Sequence, residues 1–293
     1  MYYVIFNPTA GAGRSARAME RVEQRLKEKN VAYEMAVTQY ARHSMELAAA
    51  AVGKGYEGIL SVGGDGTLLE IAQVLKDTDE TLGVIPAGTG NDFRRAIGVP
   101  RDPVEALEVA LQGDRRRVDI GILDDGKVFL NVAGTGFDVE VIKYTEKVRR
   151  ITTGGLAYYL GIVMSLFAYR SVKLTITANG KTIEREALLV AIANGRCYAG
   201  GLMVAPQSSA SDGLFNVVVL GRMPNRRVLF ELPKMQRGEP EKIPGFETFQ
   251  CSELTIDCDK KLTFNLDGEV YGQTPVTFRI CPAALSVFCG SDF

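Results

Sequence analysis

Three polar, glycine-rich segments hold the residues best suited to chemistry: Asn7-Pro8-Thr9-Ala10-Gly11-Ala12-Gly13-Arg14, Gly63-Gly64-Asp65-Gly66-Thr67, and Pro86-Ala87-Gly88-Thr89-Gly90-Asn91-Asp92-Phe93. Glycine lets the backbone approach a phosphate closely and aim N–H groups at it. Thr67, Thr89 and Asn91 can add polar contacts. One such segment alone reads as a turn; three, two of them carrying an aspartate, point to a phosphate site. Asp65 is the most informative residue. A carboxylate among phosphate-cradling amides repels the anion unless a cation lies between them, and Mg2+ bridging carboxylate and phosphate oxygens resolves that conflict. No segment matches the Walker A pattern GxxxxGK[ST]. Gly11-Ala12-Gly13-Arg14-Ser15-Ala16 matches the loose dinucleotide pattern GxGxxA, with Glu34 lying 21 residues past Gly13. The pattern fits poorly, because four residues separate the preceding strand from the first glycine and Glu34 falls inside a predicted strand.

The elements that must position these loops alternate. Strands are predicted at 2–6, 32–38, 58–62 and 82–85, and helices at 14–29, 42–54, 68–76 and 104–111; Leu47, Ala48 and Ala51 share a face of the second helix. Strands separated by helices of this length imply crossover connections and a doubly wound, mainly parallel sheet. Each glycine-rich loop follows a strand, so in such a sheet all three share one rim, with helix N-termini adding positive dipole ends. The rest of the chain reads as β. Asp125-Gly126 turns between 118–123 and 127–132, and Asn179-Gly180 marks a hairpin between 173–178 and 186–192. Further strands are expected at 214–220, 254–258, 262–266, 277–280 and 285–288, with one helix near 225–236. A chain of 293 residues is expected to form two domains. These are an α/β nucleotide-binding domain over 1–120 and a β-sandwich-like domain over 121–293.

GGDGT, GTGNDF and the opening NPxAGxG together resemble the catalytic domain of diacylglycerol and sphingoid-base kinases, within the wider group that includes NAD kinases. Later motifs fall in that family's order: Asn131-Val132-Ala133-Gly134-Thr135-Gly136-Phe137-Asp138, Ser211-Asp212-Gly213-Leu214 and Asp267-Gly268-Glu269. The resemblance therefore spans the whole chain. It implies an ATP site between the domains, lined by Asn7, Thr38, Gly63, Gly64, Asp65, Gly66, Thr67 and Thr89. Gly11, Gly13, Gly88 and Asn91 are added as loop residues of the phosphate cradle. It implies Mg2+ near Asp65, with Asp92 and Asp267 contributing, and Glu269 as the general base for a lipid hydroxyl. It also implies a second, structural metal at the carboxylate of Asp212 and the carbonyls of Ser209 and Leu214. Read without the resemblance, Leu266-Asp267-Gly268-Glu269 and Asp212-Gly213 are plain turns. One departure is visible: Leu69-Glu70 stands where the family commonly has Asn-Glu.

The expected activity is ATP-dependent phosphorylation of diacylglycerol to phosphatidic acid. The expected setting is cytoplasmic, peripheral on the anionic inner face of the membrane. The alternative acceptors are a sphingoid base, another glycerolipid or NAD. A non-catalytic nucleotide-binding regulator is the alternative from another class. A homodimer is implied by the resemblance alone.

The bulk numbers agree with an ordinary globular chain: 46% hydrophobic, 24% charged, net charge −1. That charge gives no sign of a nucleic-acid partner, so attraction to anionic surfaces must come from local patches. Arg14, Arg17, Arg21 and Arg25 follow helical spacing. They read as a solvated face diluted by Glu20, Glu23 and Glu28, or as a stripe facing headgroups, with Arg14 alternatively on the nucleotide. Arg115-Arg116-Arg117 and Arg149-Arg150 are candidates to extend the patch. Five cysteines without CxxC spacing and a single histidine, His43, fit a reducing compartment and argue against zinc. His43 opens a helix and reads as a capping or surface residue. The start MYYVIF reads as a strand rather than a signal peptide. The uncharged stretch 154–169 falls short of the roughly 20 residues that span a bilayer. It reads as a buried helix or as a helix near a lipid entry route.

Overall fold

The computed structural model describes residues 1–148, 160–161, 163–165, 171–291 and 293. They form two units. One comprises Met1–Ile120, Ala210–Asp212 and Cys281–Phe293; the other comprises Gly121–Ser209 and Gly213–Ile280. The chain thus returns twice to the first unit from within 121–293.

The first unit is built on a parallel sheet. Its strands are β1 (Tyr2–Phe6), β2 (Tyr33–Val37), β3 (Gly58–Gly63) and β4 (Thr81–Pro86), in the order β2-β1-β3-β4. The end of the last strand of the chain adds to β4 through Ser286 and Val287, again parallel. Five helices connect the strands: α1 (Arg14–Glu28), α2 (His43–Ala51), α3 (Asp65–Leu75), the single turn α4 (Phe93–Ala96) and α5 (Pro103–Gln112). α1 buries Ser15, Ala18, Met19, Val22 and Leu26, one helical stripe. α1 packs beside α5 and α2 beside α3. β3 and β4 are buried along their whole length, as strands are when helices cover both faces of a sheet. That burial explains why they read as unbroken apolar runs. Each fully buried side chain there, such as Ile59 or Leu60, contributes about 1.5–3 kcal/mol. α5 carries its own boundary signals. Asp102 accepts hydrogen bonds from the amides of Val104 and Glu105, Pro103 occupies the first turn, and Gly113 leaves in the left-handed region at φ 83°.

The second unit is antiparallel. Its elements are the end of β5 (Arg115–Leu123), β6 (Val128–Phe129), β7 (Val132–Gly136), α6 (Phe137–Val148), β8 (Val172–Ala178), β9 (Lys181–Ala193), β10 (Cys197–Tyr198), β11 (Leu202–Met203), β12 (Phe215–Gly221), α7 (Asn225–Gln236), β13 (Phe246–Cys251), β14 (Glu253–Asp257), β15 (Phe264–Leu266), β16 (Glu269–Tyr271) and the start of β17 (Val276–Phe288). β9 is the organising strand. Its first half pairs with β8, and its second half pairs with β7 on one edge and β12 on the other. Alternate residues feed two cores. Val190 and Ile192 meet Phe129, Phe215, Phe264 and Phe278 in one. Leu189, Ala191 and Ala193 meet Val218, Val228 and Met235 in the other. A strand with a core on each face shows apolar residues at every position, so no period of two is visible in its sequence. The Asn179-Gly180 hairpin forms as expected, with φ of 52° and 71°.

Several expectations need correction. The two strands read at 277–280 and 285–288 are one strand, β17, interrupted by Pro282 and by Ala283 at φ 51°. The helix read at 68–76 begins at Asp65, inside the glycine-rich motif. α6, β10, β11, β13 and β16 fall where no element was read, and in place of the strand read at 127–132 stand the short β6 and the start of β7. Arg149-Arg150 lies outside the described residues. Of the stretch 154–169, only 160–161 and 163–165 are described, and these are helical. Among the described residues no helix is long and apolar enough to cross a membrane.

Candidate active site

In the first unit the three glycine-rich loops meet. β1, β3 and β4 run parallel, so their carboxyl ends lie at one rim, and the ladder continues into the loops: Asn7 N–H donates to Val62 O at 3.0 Å and Ala87 N–H to Gly63 O at 2.8 Å. Asn7 Nδ2 donates to Thr67 Oγ1 at 2.8 Å, joining the first loop to the second. Gly88 lies against the backbone of Gly64, where a Cβ would collide with the Gly64 Cα, joining the second to the third. Gly11, at φ 62°, backs onto the carbonyl of Ala87, and Arg14 donates to Thr89 Oγ1 at 3.0 Å, joining the third to the first. Gly13 follows in the left-handed region at φ 86° and leads directly into α1. Asn91 closes the third loop by exchanging side-chain hydrogen bonds with both backbone groups of Gly88, at 3.1 and 2.9 Å. Its φ of 52° is one that asparagine tolerates. Thr38 N–H donates to Phe6 O at the same ends of β1 and β2, 2.9 Å.

Asp65 stands in the first turn of α3. Its Oδ2 accepts the Asn91 amide at 2.6 Å and its Oδ1 the Asp92 amide at 2.9 Å. Gly66 and Thr67 continue the same turn. Asp92 is buried and salt-bridged to Arg95 at 2.6 Å. A Cβ on Gly90 would lie 2.8 Å from Asp65 Oδ2 and 3.6 Å from Asp92 Oδ2, so both carboxylates border the same glycine. Burial pushes the Asp65 carboxyl above its ordinary range, the Asp92 charge pushes the same way, and the backbone hydrogen bonds pull back. Two neighbouring carboxylates in low dielectric are a donor set that a hard cation relieves. Each Asp65 oxygen keeps a lone pair beyond its amide, so the residues present fit Mg2+. Among the described residues no cluster of three or more His, Cys, Asp or Glu side chains is arranged to hold a metal by itself.

In the second unit, Asp267 and Gly268 form a two-residue hairpin turn between β15 and β16, with φ of 49° and 102°. The Asp267 carboxylate accepts the amides of Leu130 at 2.5 Å, Asn131 at 3.0 Å and Val132 at 2.9 Å, which fastens the turn to the start of β7. Glu269 opens β16. Lys127 Nζ donates to its Oε2 at 3.2 Å and also lies over the Tyr271 ring, 5.5 Å from the centroid. A second support comes from the 131–138 motif. Gly268 N–H donates to Asn265 Oδ1 at 2.7 Å, and Asn265 Nδ2 donates to Asp138 Oδ2 at 3.2 Å. Asp138 is buried, and desolvation raises its carboxyl from 3.8 to about 7 against the hydrogen bonds it accepts.

Two family models cover the chain: one described as diacylglycerol kinase catalytic domain matches residues 1–123, and one described as YegS C-terminal NAD kinase beta sandwich-like domain matches 131–289. A diacylglycerol kinase of Mycobacterium tuberculosis is 31% identical over 287 residues, which is 96% of this chain and 92% of that protein. The chain belongs to the diacylglycerol kinase family. It is a lipid kinase, and a kinase of this family implies ATP as the phosphoryl donor. A diacylglycerol kinase of Bacillus subtilis is 30% identical over 278 residues, 94% of this chain and 91% of that protein. A solved structure of a diacylglycerol kinase from Bacillus anthracis shares the fold, with a TM-score of 0.75 at 21% identity over 99% of this chain and 97% of the other.

The residues expected to hold a structural metal fall on both sides of a unit boundary in the chain. Ser209 and Leu214 belong to the second unit and Asp212 to the first. The arginine stripe is largely engaged within its own unit: Arg21 grips Asp102 through both oxygens at 2.8 and 3.2 Å, and Arg25 donates to Glu108 at 2.6 Å, tying α1 to α5. Arg115 and Arg117 likewise donate to backbone carbonyls of Glu57 and Ala283. His43 opens its helix, accepts the Gln39 amide from the preceding turn and stacks on Tyr40; it does not cap the helix, whose N-cap position is Arg42. Leu69 is buried, and Glu70 accepts a hydrogen bond from Ser44. Sequence reasoning missed Lys127, Asn265 and the supporting role of Asp138. Only the position of Asp138 at the end of a glycine-rich motif gave any signal.

Proposed function

We propose that the kinase transfers the γ-phosphoryl group of ATP to the hydroxyl of diacylglycerol, giving phosphatidic acid and ADP, with Mg2+. Support comes above all from the joining of three glycine-rich loops around the half-buried Asp65 and the buried Asp92 carboxylates. In this reading residues 1–120 hold the nucleotide. Amides of Gly11, Gly13, Gly63, Gly64, Gly66 and Gly88 line the phosphates, and Asn7, Thr38, Thr67, Thr89 and Asn91 fix the loops and add polar contacts. Asp65 would hold the magnesium, with Asp92 and Asp267 contributing; when bound, that ion neutralises charge on the transferring phosphate. Residues 121–293 supply the base. Glu269 takes the proton of the acceptor hydroxyl as its oxygen bonds to the γ-phosphorus and the bond to the bridging oxygen of ADP breaks. Lys127 orients that carboxylate through Oε2 and leaves Oε1 for the proton. A second cation at Ser209, Asp212 and Leu214 serves structure.

The setting proposed for this reaction is the cytoplasmic face of the membrane, where the acceptor is embedded. The test is a competition assay with labelled ATP and equal amounts of diacylglycerol, a sphingoid base and NAD in mixed micelles. Label in phosphatidic acid above all other products is expected. Preferential labelling of another acceptor replaces the diacylglycerol assignment, and nucleotide binding without any transfer rejects the proposed reaction.

A further inference from the structure

Helix α7 has two unlike faces. Val228 and Met235 are buried in the core that also holds Leu188 and Leu220, and Leu232 packs against it. On the other side Phe230 is 79% exposed, more than any other large hydrophobic side chain among the described residues. Arg227, Lys234 and Arg237 stand at i−3, i+4 and i+7 from it, on the same face. Arg227 and Lys234 share Glu231, at 2.9 and 2.6 Å, while Arg237 reaches Glu239 at 3.6 Å. Glu231 is buried beneath the cations it pairs with, whereas the Arg227 and Arg237 side chains keep 50% and 62% of their surface. Residues 222–242 contain six basic and three acidic side chains, in a chain whose net charge is −1. Local positive charge is therefore concentrated around the most exposed aromatic ring among the described residues.

We propose that this face of α7 is where the kinase docks on an anionic lipid bilayer. Phe230 enters the headgroup–acyl boundary, and Arg227, Lys234 and Arg237 lie along the lipid phosphates. A single ring ringed by cations matches an interfacial helix, in which apolar tips insert while long basic side chains keep their charges at the headgroups. A second copy of the chain is a poorer occupant. One ring offers far less apolar area than a stable dimer buries, and the cations around it would face each other across a two-fold axis. The inference rests on the proposed function in giving the kinase a substrate inside the bilayer, but its test needs no nucleotide.

Co-sedimentation with phosphatidylglycerol–phosphatidylcholine vesicles, set against pure phosphatidylcholine, should show binding to the anionic vesicles that high salt reverses. Phe230→Ser and, separately, Arg227→Glu with Arg237→Glu should each weaken that binding about tenfold. Circular dichroism and phosphoryl transfer to a short-chain, water-dispersed acceptor should be unchanged in both variants. Equal vesicle binding by wild type and Phe230→Ser overturns the proposal, as does failure of the wild type to bind anionic vesicles. A dimer that Phe230→Ser dissociates while vesicle binding persists also overturns it, in favour of a self-association face. Phe230-dependent vesicle binding by a protein that phosphorylates no diacylglycerol would sink the proposed function and leave this inference standing.

Discussion

Asp138 never touches Glu269, the proposed base, yet it holds the turn that presents it. The chain of contacts runs from Asp138 through Asn265 to the Gly268 amide, one residue before Glu269. Burial raises the Asp138 carboxyl to about 7 from 3.8, which sets the sign of a pH effect. Below about pH 4 the carboxyl is protonated in folded and unfolded chains alike, and its contribution to stability is fully present. As pH rises, the unfolded chain ionises first, so that contribution is lost progressively until pH passes about 7. The loss amounts to as much as roughly 4 kcal/mol. Asp138→Asn cannot ionise and should remove this slope. Urea denaturation of wild type and variant between pH 4 and 8 is expected to give stabilities whose difference changes steadily with pH; parallel profiles would refute the assignment.

At the scale of elements, the loops were legible because their chemistry is local. Runs of glycine with Asp, Asn and Thr after apolar strands announced close backbone approach, and the parallel order of β1, β3 and β4 gathers their ends. Gly88 shows how close that approach is. A Cβ there would meet the backbone of Gly64 and the Asn91 side chain. Gly88→Ala should therefore lower stability by about 1–3 kcal/mol and raise the KM for ATP more than it lowers kcat. Thermal denaturation and steady-state kinetics check both, and an unchanged KM would mean that the loop contact does not shape the nucleotide site. The second unit was harder to read. β9 and β12 face a core on each side, so neither displays the alternation that marks a half-buried strand. Pro282 and Ala283 made one strand look like two. Asn265 and Asp138 meet across 127 residues of sequence, a pairing that no local pattern announces.

The whole molecule comprises two units of different architecture. A parallel sheet gathers glycine-rich loops at strand ends, and an antiparallel unit holds a carboxylate on a braced hairpin. The chain begins the first unit, completes most of the second, and returns to supply Cys281–Phe293 to the first. Truncating the final strand would thus remove part of the first unit although it lies at the far end of the sequence. The central claim is that Asp65 and Glu269 serve one phosphoryl transfer. The most direct measurement is label transfer from ATP to diacylglycerol in mixed micelles by wild type, Asp65→Ala and Glu269→Gln, with circular dichroism and thermal midpoints recorded on the same samples. The account predicts that both variants stay folded and that each loses at least about 100-fold in kcat. Full turnover by either folded variant would contradict it.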